Sequence, residues 1–316
     1  MDTTILGKTG LRVTVAGLGC GGFSRLGINK YGEGHAAGIV RAAYDAGVNF
    51  FDTAVVYGTE GAVGAGLEGA PRDGYVLSTK YPYSSGGNWR INGADMMAES
   101  LNQSLRKLKT DYVDIYHLHG VIEEDYKNAC EVYLPAMLKA KEQGKIRFFG
   151  ITELFGTETS HKMMIKAVRD DLYDVVMVGY NMLNPSAART VFPAAAENNT
   201  GALCMFAVRS ALSNPEQLAK DLAAIINAGQ GGEGLTASPE ALDFITSGDA
   251  PAASTLMDAA YRFCRHTPPI HVVLTGTGSA DHLRDNLRSI NGPPLPGRAL
   301  ARLHGLFGRA DCISGQ

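Results

Sequence analysis

Four side chains that can hold a charge or move a proton stand at, or just beyond, the ends of successive apolar runs. Asp52 ends Asn49-Phe-Phe-Asp52, and Tyr57 follows in Thr53-Ala-Val-Val-Tyr-Gly58. Lys80 ends Val76-Leu-Ser-Thr-Lys80, and His119 ends Ile115-Tyr-His-Leu-His119. A charge ending a buried run is costly unless paired, so Asp52 and Lys80 are expected to pair. An ammonium beside a phenol stabilises phenolate, so Lys80 is expected to lower the Tyr57 pKa and make it a general acid usable near neutral pH. Taken singly, each residue has an ordinary reading as a loop charge, a packed phenol or a hydrogen-bonded imidazole. Their order on consecutive loops favours the chemical reading.

The elements that must position them alternate. Short apolar runs at Val15–Gly19, Asn49–Asp52, Tyr75–Lys80, Val113–Leu118, Phe148–Thr152, Asp174–Val178, Ala202–Ala207 and His271–Thr275 read as strands. Helical spacing follows at Gly34–Ala46, Glu60–Leu67, Ala94–Leu108, Val132–Glu142, Thr159–Val168, Ala187–Asn198, Ser254–Arg265 and Ala280–Ile290. Continuous apolar strands belong to a parallel sheet covered on its outer face. An eightfold β/α alternation predicts a closed (β/α)8 TIM barrel, whose active sites lie at the C-terminal ends of the strands. Thr3–Leu6 and Leu11–Val13 flank Gly7-Lys-Thr-Gly10 and read as an N-terminal β-hairpin capping the opposite end. The rival is an open doubly wound sheet. Glycines 17, 19 and 22 match its dinucleotide fingerprint, but Phe23–Gly32 reads as loop and no helix opens at Gly22. A single domain over residues 1–316 is expected.

Composition narrows the class. The 316 residues are 45% hydrophobic and 19% charged, with a formal net charge of −3. That fits a globular chain and gives no global basic field for nucleic acid. No apolar run reaches the ~20 residues of a membrane span, and Met1–Thr14 does not read as a secretory leader. The five cysteines are widely spaced and form no CxxC pair, so a reducing, cytoplasmic setting without disulfides or structural zinc is expected.

Several motifs in order resemble the aldo-keto reductases from Leu6 to about Ile290. They are Leu6-Gly-Lys-Thr-Gly-Leu11, Gly47-Val-Asn-Phe-Phe-Asp-Thr-Ala54 with Tyr57-Gly58, Ser78-Thr-Lys80, Asp111-Tyr-Val-Asp-Ile-Tyr-His-Leu-His119 and Gly144-Lys-Ile-Arg-Phe-Phe-Gly-Ile-Thr152. The resemblance implies a metal-free barrel enzyme that moves hydride between a nicotinamide and a carbonyl or alcohol. It implies that Tyr57 donates the proton, that Lys80, held by Asp52, lowers the Tyr57 pKa, and that His119 orients the carbonyl.

The resemblance also maps a cofactor site. Gly19, Gly21 and Gly22 match the loop beside the nicotinamide. Thr152-Glu153 stands where relatives carry a Ser-Asn pair for the carboxamide, Met177 where they carry a glutamine, and Phe206 near their stacking aromatic. In Leu274-Thr-Gly-Thr-Gly-Ser-Ala280, glycines before a helix suit phosphate, which places Gly276, Thr277 and Gly278 at the cofactor. Asp285 and Asn286 match an adenine-contacting pair. Gly276 and His282 stand where relatives grip the 2′-phosphate, with Arg284 and Arg288 nearby. NADP is the expected cofactor, with NAD as the alternative. Phe23, Tyr31, Tyr83 and Trp89 are expected on mouth loops as an apolar substrate wall, and His117 in the core. Leu212–Asp249, with its cluster Gly229–Gly234, reads either as a cover for the site or as a surface excursion. A monomer is the default. Two other functions are open: a nicotinamide-binding, redox-sensing subunit with little turnover, and a sugar-phosphate barrel enzyme using only Gly276–Gly278.

Overall fold

A computed structural model describes residues 1–83 and 93–316; Trp89 lies outside the described residues. The chain opens with the antiparallel hairpin β1 (Thr3–Ile5) and β2 (Arg12–Thr14). Eight parallel strands follow: β3 (Ala16–Gly19), β4 (Phe50–Asp52), β5 (Val76–Pro82), β6 (Val113–Val121), β7 (Ile146–Glu153), β8 (Val175–Gly179), β9 (Gly201–Met205) and β10 (Ile270–Thr275). They close into a barrel in the order β10-β3-β4-β5-β6-β7-β8-β9. This is the expected (β/α)8 architecture, and it removes the open doubly wound sheet.

Strand alternation divides the residues into an inner and an outer set. Phe50, Val76, Ile115, Val175, Met177, Leu203 and Val272 form one buried cluster. The hairpin residues Leu6, Leu11 and Val13 belong to it. The hairpin therefore plugs the N-terminal end of the barrel with its own apolar side chains. Gly7 makes this seat possible. A Cβ there would run into the backbone of Asn199 to Gly201, and its φ is +48°.

The outer layer forms where apolar residues repeat at helical spacing. In the helix Met97–Leu108, Met97, Leu101, Leu105 and Leu108 are buried, and Lys109 ends it in the left-handed region. Two expected helices differ. Ala187–Thr190 and Phe192–Glu197 are separate helices meeting at Val191, with Pro193 opening the second. A π-helical turn, Ala129–Tyr133, precedes Leu134–Glu142. The long segment after β9 carries the helix Pro215–Asn227. Its glycine cluster is seated, with Gly232 N–H donating to the carbonyl of Leu306 at 2.9 Å on the helix Gly297–Phe307. Among the described residues no helix is long and apolar enough to cross a membrane.

Three strand ends differ from expectation in ways that matter at the mouth. β5 runs on to Pro82 and β6 to Val121, so Lys80 and His119 sit inside strands rather than closing them. β9 stops at Met205 because Phe206 adopts φ +68°.

Leu6 has no exposed surface and anchors the hairpin to the barrel base. Leu6→Ala is expected to destabilise the fold by about 2–5 kcal/mol in urea unfolding. A loss under about 1 kcal/mol would show that the plug adds little to closure.

Candidate active site

The charged centre is built by inward-facing residues one step above the apolar base. On β4, Phe50 belongs to the base and Asp52 lies above it. On β5, Val76 is followed on the same face by Ser78 and Lys80. On β6, Ile115 is followed by His117 and His119. Lys80 is fully buried and Asp52 is 3% exposed. The Lys80 Nζ donates to Asp52 Oδ2 at 2.6 Å and to the Thr53 carbonyl at 2.7 Å. Ser78 Oγ donates to the other carboxylate oxygen, Asp52 Oδ1, at 2.8 Å. Burial alone would pull the Lys80 pKa down, but the Asp52 charge and hydrogen bond outweigh it and hold the ammonium protonated.

Tyr57 comes from the turn Val55–Tyr57 that follows β4. A pair of threonines fixes this turn. Thr53 Oγ1 lies 2.9 Å from Thr59 Oγ1, which donates to the Cys20 carbonyl at 3.1 Å. The Tyr57 ring lies over Gly21, where an added Cβ would come within 2.6 Å of the ring carbons. Its ring centroid is 4.9 Å from Lys80 Nζ. Its hydroxyl lies 3.3 Å from His119 Nε2, with the two rings perpendicular at a centroid distance of 5.4 Å. The four expected side chains thus converge on one place.

One expectation is reversed. Lys80 does pull the Tyr57 pKa down, but burial pushes it up more strongly, so the phenol is a weaker acid than free tyrosine. Sequence patterning shows the charge partner but not the depth of burial. His119 is held neutral, its pKa driven well below the usual imidazole range by burial and then by the Lys80 charge. His117, the register partner of Lys80, is neutral for the same two reasons. It packs over Gly150 in the interior, as expected.

The other expected site residues divide. Gly276 and Gly278 lie on the β10 side of the mouth. A Cβ on Gly276 would meet the Gly19 carbonyl, and one on Gly278 would come within 2.8 Å of Gly27. Thr277 Oγ1 accepts from Ser279 N–H at 3.1 Å, and Ser279 caps the helix Ala280–Ile290 by accepting from His282 N–H at 3.4 Å. The first-turn N–H groups of that helix have no carbonyl four residues back. Gly22, at φ +70°, follows the glycine under Tyr57, and an added Cβ there would meet nothing. His282 and Asp285 are exposed on the helix, and Asp285 pairs with Arg288 at 2.8 Å. Asp281 pairs with Arg284. Asn286 turns its amide nitrogen inward to Thr275 Oγ1 at 2.9 Å.

Thr152 Oγ1 accepts from Gly120 N–H at 2.8 Å. Glu153 has the opposite parity and faces the helix layer. Its side chain has no exposed surface and accepts from His161 Nδ1 at 2.9 Å and from Gly179 N–H at 2.8 Å. The expected substrate wall changes as well. Tyr83 is 5% exposed and donates to the Asp125 carbonyl at 3.1 Å, so it is core. Phe23 is 98% exposed beyond β3, and Tyr31 is exposed against His35.

Phe206 lies partly buried after β9. It stacks on Phe155 at 6.2 Å and 22°, at the end of the barrel where β7 and β9 finish. Ser78, Thr53 and Phe155 were not singled out from sequence. The shared parity of Ser78 with Lys80 is the signal that could have found the first of them.

The model of the aldo/keto reductase family matches residues 17–306. L-galactose dehydrogenase of Arabidopsis thaliana is 36% identical over 160 residues, 49% of this chain and 49% of that protein. The match therefore spans about half the length of that relative. D-threo-aldose 1-dehydrogenase of a Pseudomonas species is 28% identical over 231 residues, 64% of this chain and 68% of that protein. The solved holo form of an aldo-keto reductase from Bacillus halodurans superposes with a TM-score of 0.74 at 24% identity, covering 96% of this chain and 95% of that one. The chain belongs to the aldo/keto reductase family.

Proposed function

We propose that this protein is an NAD(P)(H)-dependent oxidoreductase acting on a small carbonyl or alcohol, with Tyr57 as proton donor and acceptor, Lys80 and Asp52 as its electrostatic support, and His119 as the second hydrogen-bond group. The carrying observation is the continuous contact from Asp52 through Lys80 to Tyr57, with neutral His119 at 3.3 Å from the phenol oxygen. The two sugar dehydrogenases among its relatives favour a sugar as substrate, and the aldose 1-dehydrogenase favours reaction at C1.

The residues present fit a nicotinamide dinucleotide. Gly276 and Gly278 let the backbone approach a phosphate, and the start of the helix Ala280–Ile290 favours negative charge. Among the described residues Arg284 and Arg288 are held only by exposed ion pairs, which contribute little. A 2′-phosphate can therefore recruit either, and NADP(H) remains the first expectation over NAD(H). When bound, the nicotinamide gives hydride to, or takes it from, the carbon bearing the reacting oxygen.

The remaining steps belong to the chain. During reduction that oxygen gains negative charge. Tyr57 O–H and His119 Nε2–H donate to it, and such donors stabilise the transition state more than the ground state. Tyr57 then transfers its proton, and the Lys80 ammonium stabilises the tyrosinate left behind. Asp52 keeps Lys80 fixed and charged. During oxidation the tyrosinate accepts the alcohol proton. Because burial holds the phenol protonated, the base form is scarce at neutral pH.

Titration with NADPH and NADH, followed by fluorescence, identifies the cofactor, and a panel of aldoses and aldehydes then identifies the substrate. Tyr57→Phe is expected to lower kcat by about 10²–10⁴-fold while leaving dinucleotide affinity unchanged. Full turnover in that variant would refute the role given to Tyr57.

The pH dependence follows from the two shifts. Reduction needs Tyr57 protonated, so kcat/KM for reduction is expected to be flat from about pH 6 to 8 and to fall only above about pH 10. Oxidation needs the phenolate and is expected to rise with pH over the same range. An acid limb near the ordinary histidine pKa of about 6.5 would contradict the neutral state assigned to His119.

A further inference from the structure

An exposed imidazole joins two segments on the β10–β3 side of the mouth. His35 lies in the first turn of the helix Glu33–Asp45. Its Nε2 is 2.8 Å from the carbonyl of Gly278, in the glycine turn that precedes the helix Ala280–Ile290. A carbonyl only accepts, so Nε2 carries a proton and is the donor. On the other side of that peptide unit, Ser279 N–H donates to Thr277 Oγ1 at 3.1 Å. The peptide between Gly278 and Ser279 is thus held at both polar ends. A turn that is to receive a phosphate gains from this, because a plane already fixed need not be ordered on binding.

The chain between β3 and the helix Glu33–Asp45 is drawn over the same turn. Arg25, Leu26 and Gly27 adopt positive φ in succession, +42°, +57° and +77°. Such a backbone costs an L-residue unless packing holds it, and Leu26 is fully buried. The bend brings backbone against backbone. A Cβ on Gly278 would come within 2.8 Å of Gly27 Cα, and a Cβ on Gly27 would come within 3.1 Å of the His35 ring. The Tyr31 ring lies beside that imidazole, with centroids 4.7 Å apart. Imidazole, Gly27 and Gly278 therefore form one packed unit, while Phe23 and Tyr31 on the same segment remain exposed.

We infer that His35 is a positioning residue for the dinucleotide: it latches residues 22–32 onto the turn Gly276–Ser279, so that the two segments order together. Dinucleotide affinity then depends on the latch, and by linkage the bound dinucleotide holds the latch closed. This rests on the oxidoreductase reading given above.

Fluorescence titration with NADPH and with NADH, in the wild type, His35→Ala and His35→Gln, reads the first consequence without requiring turnover. His35→Ala is expected to raise the Kd of the tighter dinucleotide by about 3–10-fold, the range of one lost hydrogen bond. The amide of His35→Gln can donate to the same carbonyl and is expected to restore most of that loss. Limited digestion with trypsin reads the second. Arg25 and Lys30 are exposed on the latched segment. Saturating dinucleotide is expected to slow cleavage after them in the wild type and in His35→Gln, and not in His35→Ala. The unliganded melting temperature of His35→Ala is expected to stay within about 2 °C of wild type, because the side chain is exposed. Unchanged affinity in His35→Ala, a loss that His35→Gln does not restore, or equal protection in the wild type and His35→Ala would overturn the latch. So would a fall of more than about 5 °C in the unliganded melting temperature, which would make His35 a residue of the fold. Failure of the wild type to bind either dinucleotide would overturn the oxidoreductase reading and the latch with it.

Discussion

An ammonium with no exposed surface cannot persist in a protein interior unless a carboxylate and further acceptors replace its water. Lys80 meets that demand with Asp52 and the Thr53 carbonyl, and Asp52 meets its own with Ser78. Removing one member of such a pair leaves a bare buried charge, which costs about 3–5 kcal/mol. The pair is therefore both structural and chemical. It holds β4 and β5 in register above the apolar base, and it sets the field in which Tyr57 and His119 sit. The same cation lowers the basicity of His119 and opposes the effect of burial on Tyr57.

The barrel interior is layered along each strand by a step of two residues. Phe50 to Asp52, Val76 to Ser78 to Lys80, and Ile115 to His117 to His119 each pass from apolar to polar while keeping one direction. This explains how one half of the interior is apolar and sealed by the hairpin while the other carries titratable groups. A shift of register by one residue would send all of these groups into the helix layer, so the closed barrel and the charged centre specify each other.

Much of this was legible in the amino-acid order. The apolar runs marked the eight strands because both of their faces are buried, and Asp52, Lys80 and His119 were found because each follows such a run, with Tyr57 in the loop just beyond one. What was missed has physical causes. Glu153 was placed beside a cofactor because it follows Thr152, but strand parity turns it to the opposite face, where His161 holds it. The strand read through Phe206 to Ala207 stops one residue before it, because the positive φ of Phe206 ends β9 and swings the ring onto Phe155. The pKa of Tyr57 was expected to fall because spacing displays Lys80, while desolvation depends on everything packed around the ring.

The glycines in and above the barrel follow from the same rings. Tyr57 lies over Gly21, His117 over Gly150 and Phe155 over Gly179, each in space a side chain would otherwise fill. A ring pressed against bare backbone has few rotamers open to it, so each pairing converts an absent side chain into a fixed orientation. Two of these rings follow strand ends and the third, His117, lies within β6, and all three are aimed in this way, although the turn carrying Tyr57 is short and half-buried. The precision of the site therefore rests as much on residues with no side chain as on those that hold charge.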